Sequence, residues 1–451
     1  MRTSGTSDSS ADGLIEHAYR LLAQALAKGA EEAEVFGICG RSVDVDLRKS
    51  VVELASESFH RGLGLRAVVK GAVGFSSTSD MSRLDAVASS AVRSARARGG
   101  DESWRSLPLP EKVLQPEGVF DSRLARIGPE ECLDLAAGML QGCLQVDGAE
   151  PVSGGVTCVS GTEFVVNSRG IELQEQETSM HASMDAIARR DGVATGSEFH
   201  NSRTFYGDLQ TVGRMAAEMA RDSLGGVAAE SGTFDVLLRP LAFTELLEYA
   251  FVPSIYADNV QKGRSPLSGQ VGKEIFSPIL SIADDGLLAG GIGSSAFDGE
   301  GVPSRRNVLA EEGRLAGFLY DSYTAGKAGT VSTGNAVRSG YSEVPRVGIR
   351  NLIVSSPEAF DLLGDLGVTK GILVNSFIGA HTANPISGDF SVEAKNAFYV
   401  APGEAASPIR SMMLAGNIFQ LLKEIEVGKD VRAVGAVVTP TVKVSMKVVS
   451  S

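Results

Sequence analysis

The chain has 451 residues, enough for two or three domains, and its 43% hydrophobic and 22% charged residues are ordinary for a globular protein. Its net charge of −13 argues against a general nucleic-acid binder, which needs a basic face to neutralise phosphates. No window approaches the ~18 continuous apolar residues of a membrane span. The polar start MRTSGTSDSSADG has no apolar core typical of a signal peptide, so we expect a cytoplasmic protein.

The N-terminal half mixes helical and strand-like patterns. Apolar residues spaced three and four apart predict helices over 11–28, 82–98, 128–144 and 209–224. Strand patterns occur at Ala33–Cys39, Ser42–Leu47 and, as polar-apolar alternation, from Gly155 to Thr204. Glycines between apolar residues in His60–Phe75 indicate a hairpin. The glycine-rich stretch 225–232 then predicts a domain boundary, with an N-terminal domain over 1–226 and a C-terminal domain over 232–451.

Strands dominate the C-terminal half. They are predicted at 234–238, 281–283, 317–320, 347–354, 371–377 and within 431–449. Helices are predicted at 240–262, 357–366 and 408–424. Because strands and helices do not alternate regularly, a doubly wound parallel sheet is not expected. We predict the α+β class: an N-terminal α/β domain with helices on a mixed sheet, then a strand-rich C-terminal domain with a few helices.

The cysteines and histidines bear on metal binding. The four cysteines are Cys39, Cys132, Cys143 and Cys158. They contain no CxxC pair, so neither a zinc ribbon nor a disulfide scaffold is predicted, and we expect buried free thiols. After Cys158 there is no cysteine, and after His200 the only histidine is His381. A zinc site needs three or four converging ligands, which the second half of this chain can hardly supply.

The predicted helix that begins at Pro240, a favourable first helical residue, looks suited to chemistry. Glu245 and Glu248 lie three residues apart and share one side, where two carboxylates could act as acid and base. Without metal ligands nearby, a solvated or salt-bridged pair is the interpretation that we favour.

Two long segments carry a family resemblance. Phe297–Ala336 combines an acidic turn, an arginine pair, a hairpin at Glu312-Gly313 and the sequence DSYTAGK. Ala383–Leu421 includes NPISGDFSVEAKNAFYV and SMMLAGNIFQLL. Both resemble the TldD/PmbA family, also called modulators of DNA gyrase. Together with the order of helices and strands, the resemblance covers nearly the whole chain.

The resemblance implies a cytoplasmic zinc peptidase built from two related chains. In that family one chain carries HExxxH on a helix early in its C-terminal domain, and a late cysteine completes the zinc site. Here Thr244 and Tyr249 stand at the two histidine positions and Glu245 at the position of the general base. The resemblance therefore implies a chain of the PmbA or TldE type, without catalytic residues or metal ligands. Zinc is expected on the related chain, because a lone glutamate cannot activate water without the metal.

Six residues are candidates for a peptide-binding cleft. They are Arg305, Arg306, Asn335, His381, Asn384 and Asp389. The arginine pair could clamp a peptide carboxylate or pair with Glu311 or Glu312 in an exposed loop. His381 lies in a loop suited to lining a cleft, but a single histidine is more often a hydrogen-bonded structural residue, which is the interpretation that we favour. Asn384 and Asp389 are expected to fix the turns of that loop, and Asn335 either approaches an extended peptide or forms a tight turn.

The leading interpretation is a non-catalytic subunit that completes a peptide-binding chamber with its HExxxH-bearing relative. It would hold extended or unfolded peptides by main-chain contacts along a sheet edge. One alternative is an autonomous hydrolase that uses Glu245, Glu248 and His381. The other is a homodimeric scaffold or gyrase-modulating protein whose acidity mimics DNA, although its acidic residues form no run of five or more.

Overall fold

The structure is a computed structural model that describes residues 11–190, 192–361, 371–401 and 404–450. The N-terminal half is a six-stranded sheet covered by two pairs of helices. The helices are α1 (Ala11–Ala27), α2 (Leu84–Arg98), α3 (Pro129–Leu144) and α4 (Leu209–Asp222). The strands are β1 (Glu32–Arg48), β2 (Val51–Val69), β3 (Ala72–Thr78), β4 (Ala149–Asn167), β5 (Glu172–Arg189) and β6 (Val193–Ser202).

The sheet has the order β3-β2-β1-β4-β5-β6, and every neighbouring pair is antiparallel. The α+β class is confirmed, but the mixed sheet that we predicted for this half is wrong. The physical reason is connectivity. Within β1-β2-β3 and β4-β5-β6 the connections are short, whereas a parallel pair needs a crossover of about a dozen residues or more. The one long connection, through α2 and α3, returns the chain antiparallel to β1.

Both helix pairs cover the same face of this sheet. Val35 packs in the cluster under α1 and α2, and Val43 packs in the cluster under α3 and α4. The two valines are eight positions apart on β1, so their side chains point to one face. On the other face, Phe36 packs with Ala296 and Phe297 of the C-terminal half. The sheet is therefore a middle layer between the helices and the C-terminal half.

The C-terminal half is rich in short strands. Its strands are β7 (Gly232–Leu238), β8 (Ser281–Asp285), β9 (Arg306–Glu311), β10 (Arg314–Leu315), β11 (Ala336–Val337), β12 (Arg346–Val347), β13 (Leu352–Ser355), β14 (Ala359–Phe360), β15 (Gly371–Ile378), β16 (Asp389–Ala401), β17 (Glu404–Ile409), β18 (Met412–Asn417), β19 (Glu426–Gly428), β20 (Arg432–Val434), β21 (Val437–Thr439) and β22 (Val442–Ser450). Its helices are α5 (Pro240–Leu246), α6 (Ala257–Gln261), α7 (Ser322–Ala328) and α8 (Ile418–Leu421).

Five of these strands close into a ring. Strand β22 pairs with both β18 and β7, and the ring continues from β7 through β15 and β16 back to β18. A second six-stranded sheet has the order β10-β9-β8-β13-β21-β20. Strands of both sheets and α5 share one large hydrophobic core. The start of α5 is therefore held in the centre of the C-terminal half.

A buried ionic network joins the two halves. Arg66 of β2 donates to Glu34 of β1 at 2.7 Å and to Glu300 at 2.6 Å, and Arg338 also pairs with Glu34. All four side chains are buried, and buried pairs of this kind need full hydrogen bonding to offset the loss of water. The strands of the first sheet end before residue 226 and those of the other sheets begin after 231. The division into domains at 226–232 stays our prediction.

Several predicted elements differ in the structure. The 240–262 segment is helical but divided: α5 continues as a π-helix (Leu247–Phe251) and a 3₁₀-helix (Val252–Ile255) before α6. Part of the 357–366 helix is strand β14, and residues 362–370 lie outside the described residues.

The predicted 408–424 segment is not one helix, because β17 continues to Ile409 and β18 covers Met412–Asn417. Met412 and Leu414 alternate with less buried neighbours because β18 lies between β16 and β22. Only the four residues of α8 are helical there. Each helix in the described part of the chain is too short or too polar to cross a membrane.

Candidate functional site

The candidate site is built around the helix that follows β7. Pro240 occupies the first helical turn, and the helix buries Ala242, Phe243 and Leu246 in the core. From Leu247 to Phe251 the helix widens into a π-helical turn, with Val252 N–H donating to the Leu247 carbonyl. Such turns are rare and occur frequently at functional sites. A π-helical turn contains more residues than an α-helical turn. Two residues five positions apart, such as Thr244 and Tyr249, therefore lie closer to the same side of the helix than they would in a regular α-helix.

Thr244 and Tyr249 lie in different surroundings. Thr244 is only 2% exposed, and its hydroxyl has no hydrogen-bond partner among the described residues. Tyr249 is 43% exposed. Its ring meets the ring of His381 edge-on, with 6.4 Å between the centroids. The outer end of the helix therefore presents an aromatic pair to solvent.

Glu245 is the one acidic group at the motif positions, and its carboxylate is already engaged. The main-chain N–H of Phe377, in β15, donates to Glu245 Oε2 at 2.7 Å. Burial raises the pKa of Glu245 to about 7, against the opposing effects of that hydrogen bond and of the Lys395 ammonium. Glu248 lies on the exposed side and its negative charge adds to the rise. Glu245 therefore exists as a mixture of acid and carboxylate near neutral pH.

The loop after β15 holds His381, Asn384 and Asp389. His381 is exposed on a short 3₁₀ turn (Ala380–Thr382). The Asn384 carboxamide oxygen accepts from the N–H groups of Ile386 and Ser387 at 2.9 and 3.2 Å. Hydrogen bonds from Asn417 and Ser387 lower the pKa of Asp389. Asn384 and Asp389 thus fix the loop, and His381 is the member of this set that is free to face a ligand on the surface with Tyr249.

The arginine pair lies elsewhere, at the start of β9. Arg306 is exposed and pairs with Asp285 at 3.3 Å, rather than with the Glu311 or Glu312 of our alternative. Arg305 is half-buried, and its Nε finds no hydrogen-bond partner within the described ranges. Arg306 is the first residue of β9 in the second six-stranded sheet and Arg305 directly precedes it, so the pair is on a different element from His381.

Asn335 is a correction to the predicted cleft. Its side chain is completely buried, and Nδ2 donates to Asp284 at 2.6 Å and to the Gly348 carbonyl at 2.9 Å. Asn307 donates to the remaining carboxamide oxygen at 3.0 Å. Asn335 therefore fixes neighbouring loops and does not reach a peptide. The residue before it, Gly334, has a φ of +75° and leaves no room for a Cβ beside the Pro303 carbonyl.

Sequence reasoning missed two groups at this site. Phe377 contributes a main-chain N–H, and Lys395 of β16 contributes a charge near Glu245. Lys395 also donates to Ser197 of β6 at 3.0 Å, so the site is connected to the N-terminal sheet. A strand was predicted at 371–377, but nothing in the sequence pattern pairs its end with position 245.

The residues present do not fit a zinc ion. The two residues that the resemblance aligns with the histidines carry a hydroxyl and a phenol, and one carboxylate oxygen of Glu245 accepts a hydrogen bond from the Phe377 N–H. Across the residues that the structure describes, there is no group of three or more histidine, cysteine, aspartate or glutamate side chains that could hold a metal ion. The described residues of this helix therefore provide no set of zinc ligands.

Comparisons with known proteins give a consistent result. Three family models match the chain: PmbA/TldA metallopeptidase domain 1 over residues 33–95, the central domain over 122–224 and the C-terminal domain over 231–451. The chain is 33% identical over 411 residues to an uncharacterized protein of Methanocaldococcus jannaschii, covering 91% of this chain and 94% of that protein.

Two further proteins resemble the chain over almost its full length. A protein of Escherichia coli O157:H7 named metalloprotease PmbA is 26% identical over 452 residues, with 96% of each chain covered. The crystal structure of TldE from Thermococcus kodakarensis superposes with a TM-score of 0.87, covering 96% of this chain and 99% of that one, at 24% identity. The TldE comparison shows that the fold is shared.

Proposed function

Because this chain belongs to the PmbA/TldD metallopeptidase family, we propose that it is the subunit without a zinc site in a two-chain zinc peptidase. The observation that carries the proposal is the helix at 240–251. The family resemblance aligns this helix with the HExxxH motif, and Thr244 and Tyr249 then stand at the two histidine positions, five residues apart. We place the zinc and the hydrolytic chemistry on a related chain that carries HExxxH.

The role of this chain is then to bind and orient peptide. Tyr249 and His381 form an exposed aromatic surface at the end of the helix. Rings of this kind provide contact area for a peptide at a low cost in conformational entropy. Glu245 is held by Phe377 and stabilises the junction between the helix and β15 rather than polarising water.

The test is to co-express this chain with an HExxxH-bearing relative from its native host and to purify through a tag on this chain. We expect an equimolar complex that cleaves an unfolded fluorogenic casein, whereas each chain alone does not. Glu245→Gln in this chain should leave at least about half of the activity. The same change in the glutamate of the relative's motif should abolish it. An isolated chain that binds stoichiometric zinc and cleaves casein would overturn the proposal.

A second candidate function is supported by the pKa of Glu245. A carboxyl with a pKa of about 7 is suited to general acid–base catalysis, and His381 lies near the same surface through Tyr249. An autonomous hydrolase would use these groups directly. It predicts that Glu245→Gln and His381→Ala each abolish hydrolysis by the purified chain, whereas our leading proposal predicts no hydrolysis to abolish.

A further inference from the structure

Strand β2 is much longer than its outer neighbour. Strand β3 pairs only with Leu63–Val69, and on its inner side β2 pairs with β1 along nearly its full length. The segment Val51–His60, which we name the free edge, has no strand on its outer side in the described part of the chain. Alternate residues of an unpaired edge point their N–H and C=O groups outward, where they form a template for another strand.

The free edge exposes apolar side chains on both faces of the sheet. Phe59 is 76% exposed and Leu54 is 51% exposed. Phe59 lies opposite Arg41, on the helix side, whereas Leu54 lies opposite Asp46, on the other side. The register between β1 and β2 shifts between Asp46 and Leu47, near the hairpin tip, so it does not change these two pairings. Exposed apolar groups on a long edge strand normally promote association.

The charges of the free edge are satisfied within the chain. Glu57 pairs with Arg41 of the neighbouring strand, and Glu53 pairs with Arg48 at 2.9 Å. Charged side chains usually protect an edge because an approaching strand would bury them unpaired. Here the two glutamates already have partners, so they present little barrier to a strand that docks beside them.

The apolar surface continues around the hairpin tip. Val51 is 62% exposed and lies two residues after Lys49, whose N–H donates to the carbonyl of Val152 at 2.9 Å. Val152 and Leu144 are also exposed, and both line a cavity of about 720 Å³ next to Ser50. We name Val51, Leu144 and Val152 the tip patch. It adjoins the free edge, so one partner can cover both.

The size of this surface favours a folded partner over a lone peptide. Ten residues extend roughly 34 Å, and a single strand layer is about 10 Å thick, so the free edge offers on the order of 340 Å². A stable complex buries about 800 Å² on each partner. A single peptide strand would cover the edge but leave the tip patch and both faces in water. A folded chain can reach the required area because its sheet and helices cover the edge, its faces and the tip patch together.

We propose that the free edge pairs antiparallel with the equivalent strand of a second chain of this fold, namely the related subunit of the proposed function, on which this inference rests. A related chain with the same fold presents the same edge strand, so the two sheets join into one continuous sheet. The tip patch then packs against the helix layer of the partner.

The test is hydrogen–deuterium exchange of the isolated chain and of the co-purified complex. Alternate amides of Val51–His60 should exchange at least about tenfold more slowly in the complex. The variant Leu54→Lys with Phe59→Asp should weaken association at least about tenfold, because exposed anchors of an interface carry much of its affinity. The matched control is Val193→Lys, which changes a 68% exposed valine on the opposite edge strand β6 and should leave association unchanged. Urea unfolding curves that match the wild-type curve would verify that the variants fold.

The outcomes separate the two proposals. An active complex whose free edge exchanges as fast as in the isolated chain overturns this inference and leaves the proposed function standing. A protected free edge in a complex whose hydrolysis belongs to this chain supports the inference and overturns the proposed function. Failure to form a complex overturns both. Protection by an unfolded peptide alone, without the second chain, also contradicts the inference.

Discussion

The N–H of Phe377 donates to the carboxylate of Glu245 at 2.7 Å, across 132 positions of sequence. This bond ties the helix at 240–246 to the end of β15. It also gives the glutamate a structural partner at the position where a catalytic relative would keep a general base. We therefore expect Glu245 to affect the stability of the protein and its pH dependence more than it affects chemistry.

Replacing Glu245 by Gln should stabilise the protein at alkaline pH. The folded pKa of about 7 lies above the usual value of 4.5, so the folded state binds this proton more tightly than the unfolded state does. The free energy of unfolding therefore falls as pH rises from about 4.5 to 7, and it stays lower above that range. Gln carries no charge and its oxygen can still accept from Phe377. We expect a gain of about 1–2 kcal/mol at pH 8, discounted for partial exposure, and little change at pH 5.

Urea unfolding of the wild type and of Glu245→Gln at both pH values measures this effect. The exposed Glu117→Gln serves as the control and should follow the wild type at both pH values. A variant whose stability relative to the wild type is the same at pH 5 and pH 8 would contradict the account.

Thr244→Val should be neutral or stabilising. The buried hydroxyl has no hydrogen-bond partner in the described chain, so its removal ends a desolvation cost without breaking a bond, for a gain of about 0–2 kcal/mol. The matched control is Thr324→Val. Its hydroxyl donates to Asp321 at 2.6 Å in the capping box of α7, and its loss should cost about 1–2 kcal/mol. Thermal unfolding measures the stability of both variants relative to the wild type. A strongly destabilised Thr244→Val would contradict this prediction and would show that the hydroxyl has a structural role.

Histidines at positions 244 and 249 should create a metal site on this helix. Thr244→His with Tyr249→His places two imidazoles at the motif spacing, and His381 already lies beside position 249. Three nitrogen ligands are sufficient for zinc with water in the fourth position. We expect the double variant to bind up to one zinc per chain, measured by elemental analysis after dialysis.

Adding His381→Ala to that double variant should lower its zinc affinity at least about tenfold, because it removes one of three ligands. The buried position 244 has little space for an imidazole, so a loss of about 1–3 kcal/mol of stability is expected. If the wild type retains as much zinc as the double variant, the interpretation of this helix is wrong.

Arg66→Gln should destabilise the junction of the two halves. It leaves the buried carboxylates of Glu34 and Glu300 without their shared partner, which typically costs about 3–5 kcal/mol. The exposed pair of Arg48 and Glu53 provides the comparison, since Arg48→Gln should cost less than about 1 kcal/mol. Urea unfolding measures both. Equal effects of the two changes would show that the buried network does not hold the halves together.

Local patterns predicted the helices of the N-terminal half well. Leu14, Ala18, Leu22 and Ala25 are all buried on α1, as their helical spacing indicates. The same reasoning failed for β18, because a short apolar run such as Met412–Leu414 does not distinguish a helix from a strand that is buried between two others. This run can be recognised as a strand only once β16 and β22 are known to lie on either side of β18.

Contacts between distant segments could not be predicted from the sequence. Asn335 was a cleft candidate because the backbone at Gly334-Asn335 could approach an extended peptide, but Asn335 donates to Asp284 and Gly348. Arg66 and Glu300 are 234 positions apart, and neither has a local pattern that indicates burial. In contrast, the family resemblance alone proposes that Thr244 and Tyr249 stand at the two histidine positions, and the structure adds the π-helical turn that contains position 249.

Native mass spectrometry of the complex purified from its host, followed by separation of the two chains in the gas phase, shows which chain carries the zinc. The account predicts one zinc per pair of chains, which stays with the HExxxH-bearing relative while this chain appears at its metal-free mass. Zinc retained on this chain, or an active preparation that contains this chain alone, would contradict the account.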